Sequence, residues 1–480
     1  MRANRLESLA RTPTVNTALF PQPLARHAME QALGRRLEAS RLQVAAGSVT
    51  PTLDDKAFAD SLAKWDFAEP VALDDLLNWT ISSMQQGQVQ MTHPRYFGLF
   101  NPAPTFPAEC AERIVAAFNP QLASSSTSPT ATRIEKHVID AVARRAGLPS
   151  YTRGNFTSGG SESNFTALIC ALTKANARFA EDGVRAYVGR PVCYISREAH
   201  LAWCKIAQEA GIGRSSVRLV DTDGTGRMDA NALSVMIAGD KASGRVPIMI
   251  VGTAGTTAAG MVDPLVACAA IARDAGAWFH VDAAWGGALI ASRSRQDVLA
   301  GIEQADSVTI DAHKWFATTM ACGMFLTTVP DILPAAFHVS ASFMPQTGTV
   351  PDPYLNSVPW SRGFSGLRLF LSLGAASWDG YEQHVEHSIG LIDLLRRWLI
   401  ADGWIVANNS PMAVLCVSPP SGSATPQAIV HHILETGRAW ISTAQFEGRE
   451  IIRICLTNGR TTAEDVAELL RLLMAACGQR

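Results

Sequence analysis

Lys314, in Asp306-Ser-Val-Thr-Ile-Asp-Ala-His-Lys-Trp-Phe316, and Asp282, in Ala277-Trp-Phe-His-Val-Asp-Ala-Ala-Trp-Gly-Gly287, are the residues best placed to do chemistry. Val308 and Ile310 alternate with Thr309 and Asp311, the pattern of a strand end, after which the chain presents His313 and Lys314. The upstream segment reads the same way, an apolar strand closing on Asp282. An amine there can form a Schiff base with a carbonyl, and a carboxylate can keep a ring nitrogen protonated so that the ring accepts electrons. Together they are what a carbonyl-carrying cofactor requires. Taken singly, each also suits a solvated lysine or a turn-capping aspartate.

These residues need elements to position them. Short apolar runs near 192–195, 217–220, 248–251, 278–281, 308–310 and 324–327 predict strands, with helices around 199–210, 230–238 and 265–275. Such alternation argues for an α/β chain with a mostly parallel sheet, whose ligands sit beyond the strands' carboxyl ends, where Asp282 and Lys314 fall. Phe156-Thr-Ser-Gly-Gly-Ser-Glu-Ser-Asn164 opens a helix with Phe165, Leu168, Ile169 and Leu172 on one face. A Gly/Ser turn at a helix N-terminus suits a phosphate; a serine-capped helix would look the same. It has neither the Walker lysine nor the dinucleotide spacing. His93-Pro-Arg-Tyr-Phe-Gly-Leu-Phe-Asn-Pro-Ala-Pro104 is too apolar for a solvated loop and predicts a pocket or interface, or a loop that covers the core. Ser128-Pro129 precedes a helix with Ile134, Val138 and Val142 on one face.

Asp-Ala-His-Lys-Trp and His-Val-Asp-Ala-Ala-Trp-Gly, in this order, resemble the two signatures of the pyridoxal-phosphate (PLP) group II amino-acid decarboxylases, a family that includes aromatic-L-amino-acid, glutamate, histidine and diaminobutyrate decarboxylases. The resemblance covers roughly residues 70 to 475 and implies the PLP-dependent transferase-like fold of type I. It implies an N-terminal helical segment over 1–90 that packs in a homodimer, a large PLP-binding domain over 91–370 and a small αβ domain over 371–480. By resemblance, Lys314 carries the cofactor, Asp282 meets its ring nitrogen, His200 stacks on its ring, and Gly159, Gly160 and Ser161 hold its phosphate. Thr253, Ala284, Asp311 and His313 complete the cofactor set, and His93, Phe100, Asn101, Pro102 and Arg362 are expected to line the substrate pocket. The implied reaction converts an L-amino acid, aromatic or related, to the amine and carbon dioxide.

Several positions depart from the family pattern. Where the family's catalytic loop usually has a proton-donating tyrosine, this chain has Phe343, which has no proton to give. In relatives with phenylalanine there, oxygen is consumed and an aldehyde, ammonia and peroxide form; Tyr354 is the other candidate hydroxyl. Gly363 replaces the second arginine of an Arg-Arg-Phe motif, and Asp311 stands where animal members often have asparagine. Asn101, Ala103, Gln121 and Ala123 occupy positions that are larger or more aromatic in aromatic-acid decarboxylases. A third reading, of another class, is a catalytically silent binding protein of this fold, against which the presence of Lys314, Asp282 and His200 argues.

Composition sets the remaining bounds. The 480 residues are 47% hydrophobic, with 41 basic against 43 acidic side chains, so no nucleic-acid partner is indicated. Nine scattered cysteines without a Cys-x-x-Cys pair suit reduced thiols, and no signal or membrane-length apolar run is visible; a cytoplasmic enzyme is expected. Asp221-Thr-Asp-Gly-Thr-Gly226 starts like a calcium loop but has Ala232 at the twelfth position, and His384-Val-Glu-His387 lacks zinc-site spacing. Both read as solvated, and no metal is expected. Residues 332–366 read as a long loop of the kind that often forms a lid. Arg453 is expected to be solvated or structural, and Thr461-x-x-Glu464 to cap the last helix.

Overall fold

Four of the seven strands in the larger sheet consist wholly of buried residues, because their Val, Ile, Phe and Trp side chains are covered on both faces. The computed structural model describes residues 16–339 and 352–478. These strands are β1 (Arg153–Thr157), β2 (Pro191–Ser196), β3 (Val217–Val220), β4 (Val246–Thr253), β5 (Trp278–Asp282), β6 (Ser307–Asp311) and β7 (Gly323–Thr327). Their order is β1-β7-β6-β5-β4-β2-β3. β3, β2, β4, β5 and β6 run parallel, whereas β7 is antiparallel to both β6 and β1. All six predicted strands are present. β1 is additional, and its Gly154 and Asn155 hide it from a reading based on hydrophobicity.

Register sets the site. Thr253 pairs with Asp282 and Asp282 with Thr309, so the carboxyl ends of β4, β5 and β6 arrive at one level. The helix Gly160–Ala175 packs on the sheet through Ala167, Leu168, Ala171 and Leu172, with its N-terminus at those strand ends. A second sheet contains β8 (Ile405–Val406), β9 (Val414–Ser418), β10 (Ser442–Phe446) and β11 (Arg449–Cys455) in the order β10-β11-β9-β8, all antiparallel. β10 and β11 form a hairpin whose turn places Glu447 at φ 47° and Gly448 at φ 70°. The helix Gly366–Ala401, interrupted at Ser377, packs against β8 and β9, and positions 370 and 371 lie within this one element.

The chain divides into two compact units, Met1–His93 and Pro94–Arg480. In the first, helices span Pro23–Ala46, Asp55–Leu62 and Leu73–Gln86. Within the expected long loop, the described residues form helical turns at Ile332–Phe337 and Pro353–Leu355. Phe343 and its neighbours 340–351 lie outside the described residues. The last helix, Ala463–Cys477, is capped one residue later than expected, by a reciprocal pair of Thr462 and Asp465. Thr461 is instead buried and donates to the Pro94 carbonyl at 2.6 Å. Among the described residues no helix is long and apolar enough to cross a membrane.

Candidate active site

Beyond the ends of β4, β5 and β6 lies a cavity of about 370 Å³, within the size range of small-molecule sites. Gly159, Gly160, Ser161, His200, Thr253, Asp282, Ala284, Asp311, His313 and Lys314 all line it, with Phe100 and Asn101 at another wall. Residues as far apart as Leu99 and Lys314 thus meet because the parallel strands end together.

Lys314 leaves the end of β6 and its Nζ lies 2.9 Å from Asp311 Oδ2, an ion pair whose acidic partner is buried. The other oxygen of Asp311 has no hydrogen-bond partner among the described residues. His313 accepts from the Cys322 amide through Nδ1 at 3.2 Å, which puts its ring proton on Nε2, 3.8 Å from Asp311. Burial pushes this imidazole below its usual value, so it stays neutral. Next to Lys314 the backbone is pinned by the helix Gly366–Ala401: the Trp315 carbonyl is 3.0 Å from His384 Nε2, and the Phe316 carbonyl accepts from Tyr381 at 3.0 Å.

Asp282 is buried, with Oδ2 accepting from Asn164 Nδ2 at 2.8 Å and Oδ1 from the Ala284 amide at 3.2 Å. Thr253 is fixed by Asp263, which accepts from the Thr253 amide at 2.8 Å and the Met228 amide at 2.7 Å. His200 is exposed; its Nδ1 accepts from the Ala202 amide at 3.1 Å, so Nε2 carries the proton. It both caps the helix Ala202–Glu209 and lines the cavity.

At the glycine turn, a Cβ on Gly160 would sit 3.0 Å from Asp311 Oδ2 and 3.3 Å from Ala284 Cβ, filling the cradle. A Cβ on Gly323 would sit 2.6 Å from Gly159 Cα, so β7 can approach the turn only as glycine. The first amides of the helix have no acceptor within it. Ser158 bonds Glu162 Oε2 through both its amide (2.8 Å) and hydroxyl (2.6 Å), which closes the turn.

The aromatic wall is Phe100 stacked on Trp285 at 4.3 Å, with Trp285 against Trp315 at 5.4 Å. Behind Phe100 lies Arg453, buried rather than solvated, its guanidinium carbon 4.7 Å from the ring centre. It donates to the carbonyls of Thr257 (2.9 Å) and Gly98 (2.7 Å) and so ties β11 to the two loops beside the cavity.

Other expected positions lie elsewhere. Pro102 and Ala103 are buried but do not line the cavity. Gln121 bonds Ser361 at 2.8 Å. Arg362 pairs with buried Glu135 at 2.6 Å and lines a separate cavity. Tyr354 is buried against Trp360, ring centres 4.5 Å apart, and is not a lining residue. His93 is buried within the first unit. The calcium-like loop is a turn closed by Asp223 on Thr225 and Arg227, contacts that hold its carboxyl down at about 2.

Sequence reasoning missed Asn164, His280, Asp263 and His384. The signal for His280 was available: in β5, Trp278, His280 and Asp282 alternate onto one face, an unusual polar stripe in an apolar strand. His384 is not the solvated residue expected, and burial pushes it, like His280, down to about 4. A pH effect on stability follows. Both imidazoles bind protons more readily when unfolded, so their contribution is complete above about pH 6.5 and is lost as pH falls toward 4. Asp263, pushed up to about 6 by burial, acts in the opposite sense between pH 4 and 6. Relative to wild type, His384→Gln should lose less stability and Asp263→Asn should lose more as pH falls from 6.5 to 4, as calorimetry across this range would show.

A family model described as the pyridoxal-dependent decarboxylase conserved domain matches residues 68–414. L-2,4-diaminobutyrate decarboxylase of Rhizobium meliloti (strain 1021) is 30% identical over 392 residues, covering 79% of this chain and 77% of that protein. Aromatic-L-amino-acid decarboxylase of Bacillus atrophaeus is 26% identical over 415 residues, covering 84% of this chain and 85% of that protein. The fold is that of mouse CSAD in its apo form, with a TM-score of 0.90 at 24% identity over 95% of this chain and all of that one. On this match and this fold, the chain belongs to the pyridoxal-dependent amino-acid decarboxylase family, whose cofactor is pyridoxal 5'-phosphate.

Proposed function

We propose that the cavity around Lys314 decarboxylates an L-amino acid with an aromatic or related side chain, giving the amine and carbon dioxide. The convergence of Lys314, Asp282 and His200 on one cavity is the observation that supports this most. The donor set fits the cofactor: a glycine cradle at a helix N-terminus for the phosphate, a carboxylate for the ring nitrogen and a lysine amine for the aldehyde. When bound, pyridoxal 5'-phosphate supplies an aldehyde that condenses with amines and a protonated ring that accepts the electron pair left by a departing carboxylate.

The chain's own residues do the rest. Lys314 offers its amine at the cavity, located there by Asp311 and by the pinned backbone that follows it. Asp282 would hold a proton on the ring nitrogen, and the hydrogen bonds to its own oxygens fix its orientation for that contact. His200, with its proton on Nε2, is the donor available to a substrate carboxylate at the exposed rim. Gly159, Gly160 and Ser161 take the phosphate, Thr253, Ala284 and His313 close the walls, and Phe100 and Asn101 bound the side-chain space. The same proposal includes a homodimer, for which Phe106 (66% exposed) and Phe118 (81%) on one helix offer apolar contact surface. It also includes a reducing, cytoplasmic setting, consistent with nine free cysteines.

Phe343 favours a second reading, in which the amino acid, oxygen and water give the aldehyde, carbon dioxide, ammonia and hydrogen peroxide. The discriminating experiment is product analysis of PLP-loaded protein on an amino-acid panel with oxygen uptake recorded. Amine without oxygen loss supports the first reading. Aldehyde and equimolar oxygen loss support the second, and Phe343→Tyr should then shift the products to amine.

A further inference from the structure

Behind Asp282 runs a buried chain of polar groups, of which only the last link, from Asn164, is used above. Asn164 Nδ2 lies 2.8 Å from Asp282 Oδ2, and Asn164 Oδ1 lies 3.0 Å from His280 Nε2. His280 Nδ1 lies 2.8 Å from Ser307 Oγ, which in turn is 2.8 Å from Trp278 Nε1. His280 and Ser307 are fully buried, Asn164 and Trp278 nearly so. Register explains the grouping: His280 is the Cα partner of Ser307 in the β5–β6 pair, and Trp278, His280 and Asp282 share a face.

The two ends fix the direction of every bond. Indole can only donate and an ionised carboxylate can only accept. Trp278 therefore donates to Ser307, Ser307 to His280 Nδ1, His280 Nε2 to Asn164, and Asn164 to Asp282. Only a neutral imidazole protonated on Nε2 completes this order. Burial, which drives His280 down to about 4, maintains that state. Thr309 Oγ1 also lies 3.4 Å from Nε2, and the Trp203 ring packs at 71° to the imidazole with ring centres 5.7 Å apart.

We propose that Asn164 and His280 are positioning residues for the cofactor: a one-directional hydrogen-bond chain ends on Asp282 and holds its carboxylate in one orientation for the ring nitrogen. The inference rests on the assignment of Asp282 to that nitrogen. A buried polar group that merely satisfied itself would matter equally for any ligand; this chain should matter only for a ligand with a basic ring nitrogen.

The test uses the full-length protein and two probes, pyridoxal 5'-phosphate and its analogue with C–H in place of the ring nitrogen. Wild type should bind the first more tightly. Asn164→Leu and His280→Leu should each lose about tenfold of that preference, the usual scale for the partners of a functional group, while His280→Gln, which keeps an N–H toward Asn164, should retain it. Equal preference in wild type and both leucine variants would overturn the chain alone. No preference in wild type would overturn the Asp282 assignment and the inference with it. Should the leucine variants fail to fold, ¹⁵N spectra of histidine-labelled wild type without cofactor decide. An Nε2-protonated His280 unchanged between pH 5 and 8 supports the chain, and an Nδ1-protonated or charged ring at pH 5 refutes it.

Discussion

Lys314→Ala should lose at least roughly 10⁴-fold in turnover, because it removes the amine on which the proposed chemistry depends and no other lysine among the described residues lines the cavity. Borohydride reduction of loaded wild type should attach the cofactor to the peptide containing Lys314, and the variant should carry none. The substitution has a second consequence. Asp311, only 1% exposed at its side chain, would be left buried without its ion-pair partner, a situation that typically costs several kcal/mol. The single variant should therefore melt lower. Adding Asp311→Asn should recover most of that stability without recovering turnover, which separates the chemical role of the lysine from its structural one. Turnover surviving in Lys314→Ala would contradict the assignment.

The next largest effect is expected at Asp282. Asp282→Asn keeps the side-chain shape but removes the charge, and a neutral amide cannot hold a proton on a pyridine-type nitrogen. The electron-accepting capacity of the ring falls accordingly, and kcat should drop by about 10²- to 10³-fold, the scale seen when a group aimed at developing charge is removed. The amide also disturbs the chain behind it, since Asn164 Nδ2 would then face an N–H₂ group in one of its two orientations. Asp282→Glu retains charge but displaces it, and should recover part of the loss. Carbon dioxide release at saturating cofactor measures both. A kcat within threefold of wild type for Asp282→Asn would mean that the carboxylate does not serve the ring.

Much of this site is legible in the sequence because its parts are local. A strand that ends and is followed by Asp-Ala-His-Lys, or by Ala-Ala-Trp-Gly, announces itself by alternation. Parallel strands of similar length must end at one level, so Asp282 and Lys314 had to meet. The glycine turn could likewise be placed, because Leu168 and Leu172 show which face of its helix is buried. What resisted reading depends on distant partners. Asn164 and His280 are 116 positions apart and bond only through the packing of a helix on β5. Arg362 stands in a recognisable motif, yet its partner is Glu135, whose carboxylate holds it in another cavity. Arg453 looked like an ordinary strand residue, and its burial under Phe100 follows from how β11 meets the two loops beside the cavity. The strand β1 was hidden for a different reason: paired to β7 by its backbone, it does not need side chains of high β-propensity.

The most direct measurement follows the carboxyl carbon. PLP-loaded wild type and Lys314→Ala would be given amino acids labelled with ¹³C at C1, aromatic substrates first, and the label traced by mass spectrometry. Wild type should release labelled carbon dioxide at the rate of substrate loss, and the variant should release none. Label retained in a keto acid, with the amino group transferred to the cofactor, would contradict decarboxylation as the reaction of this site.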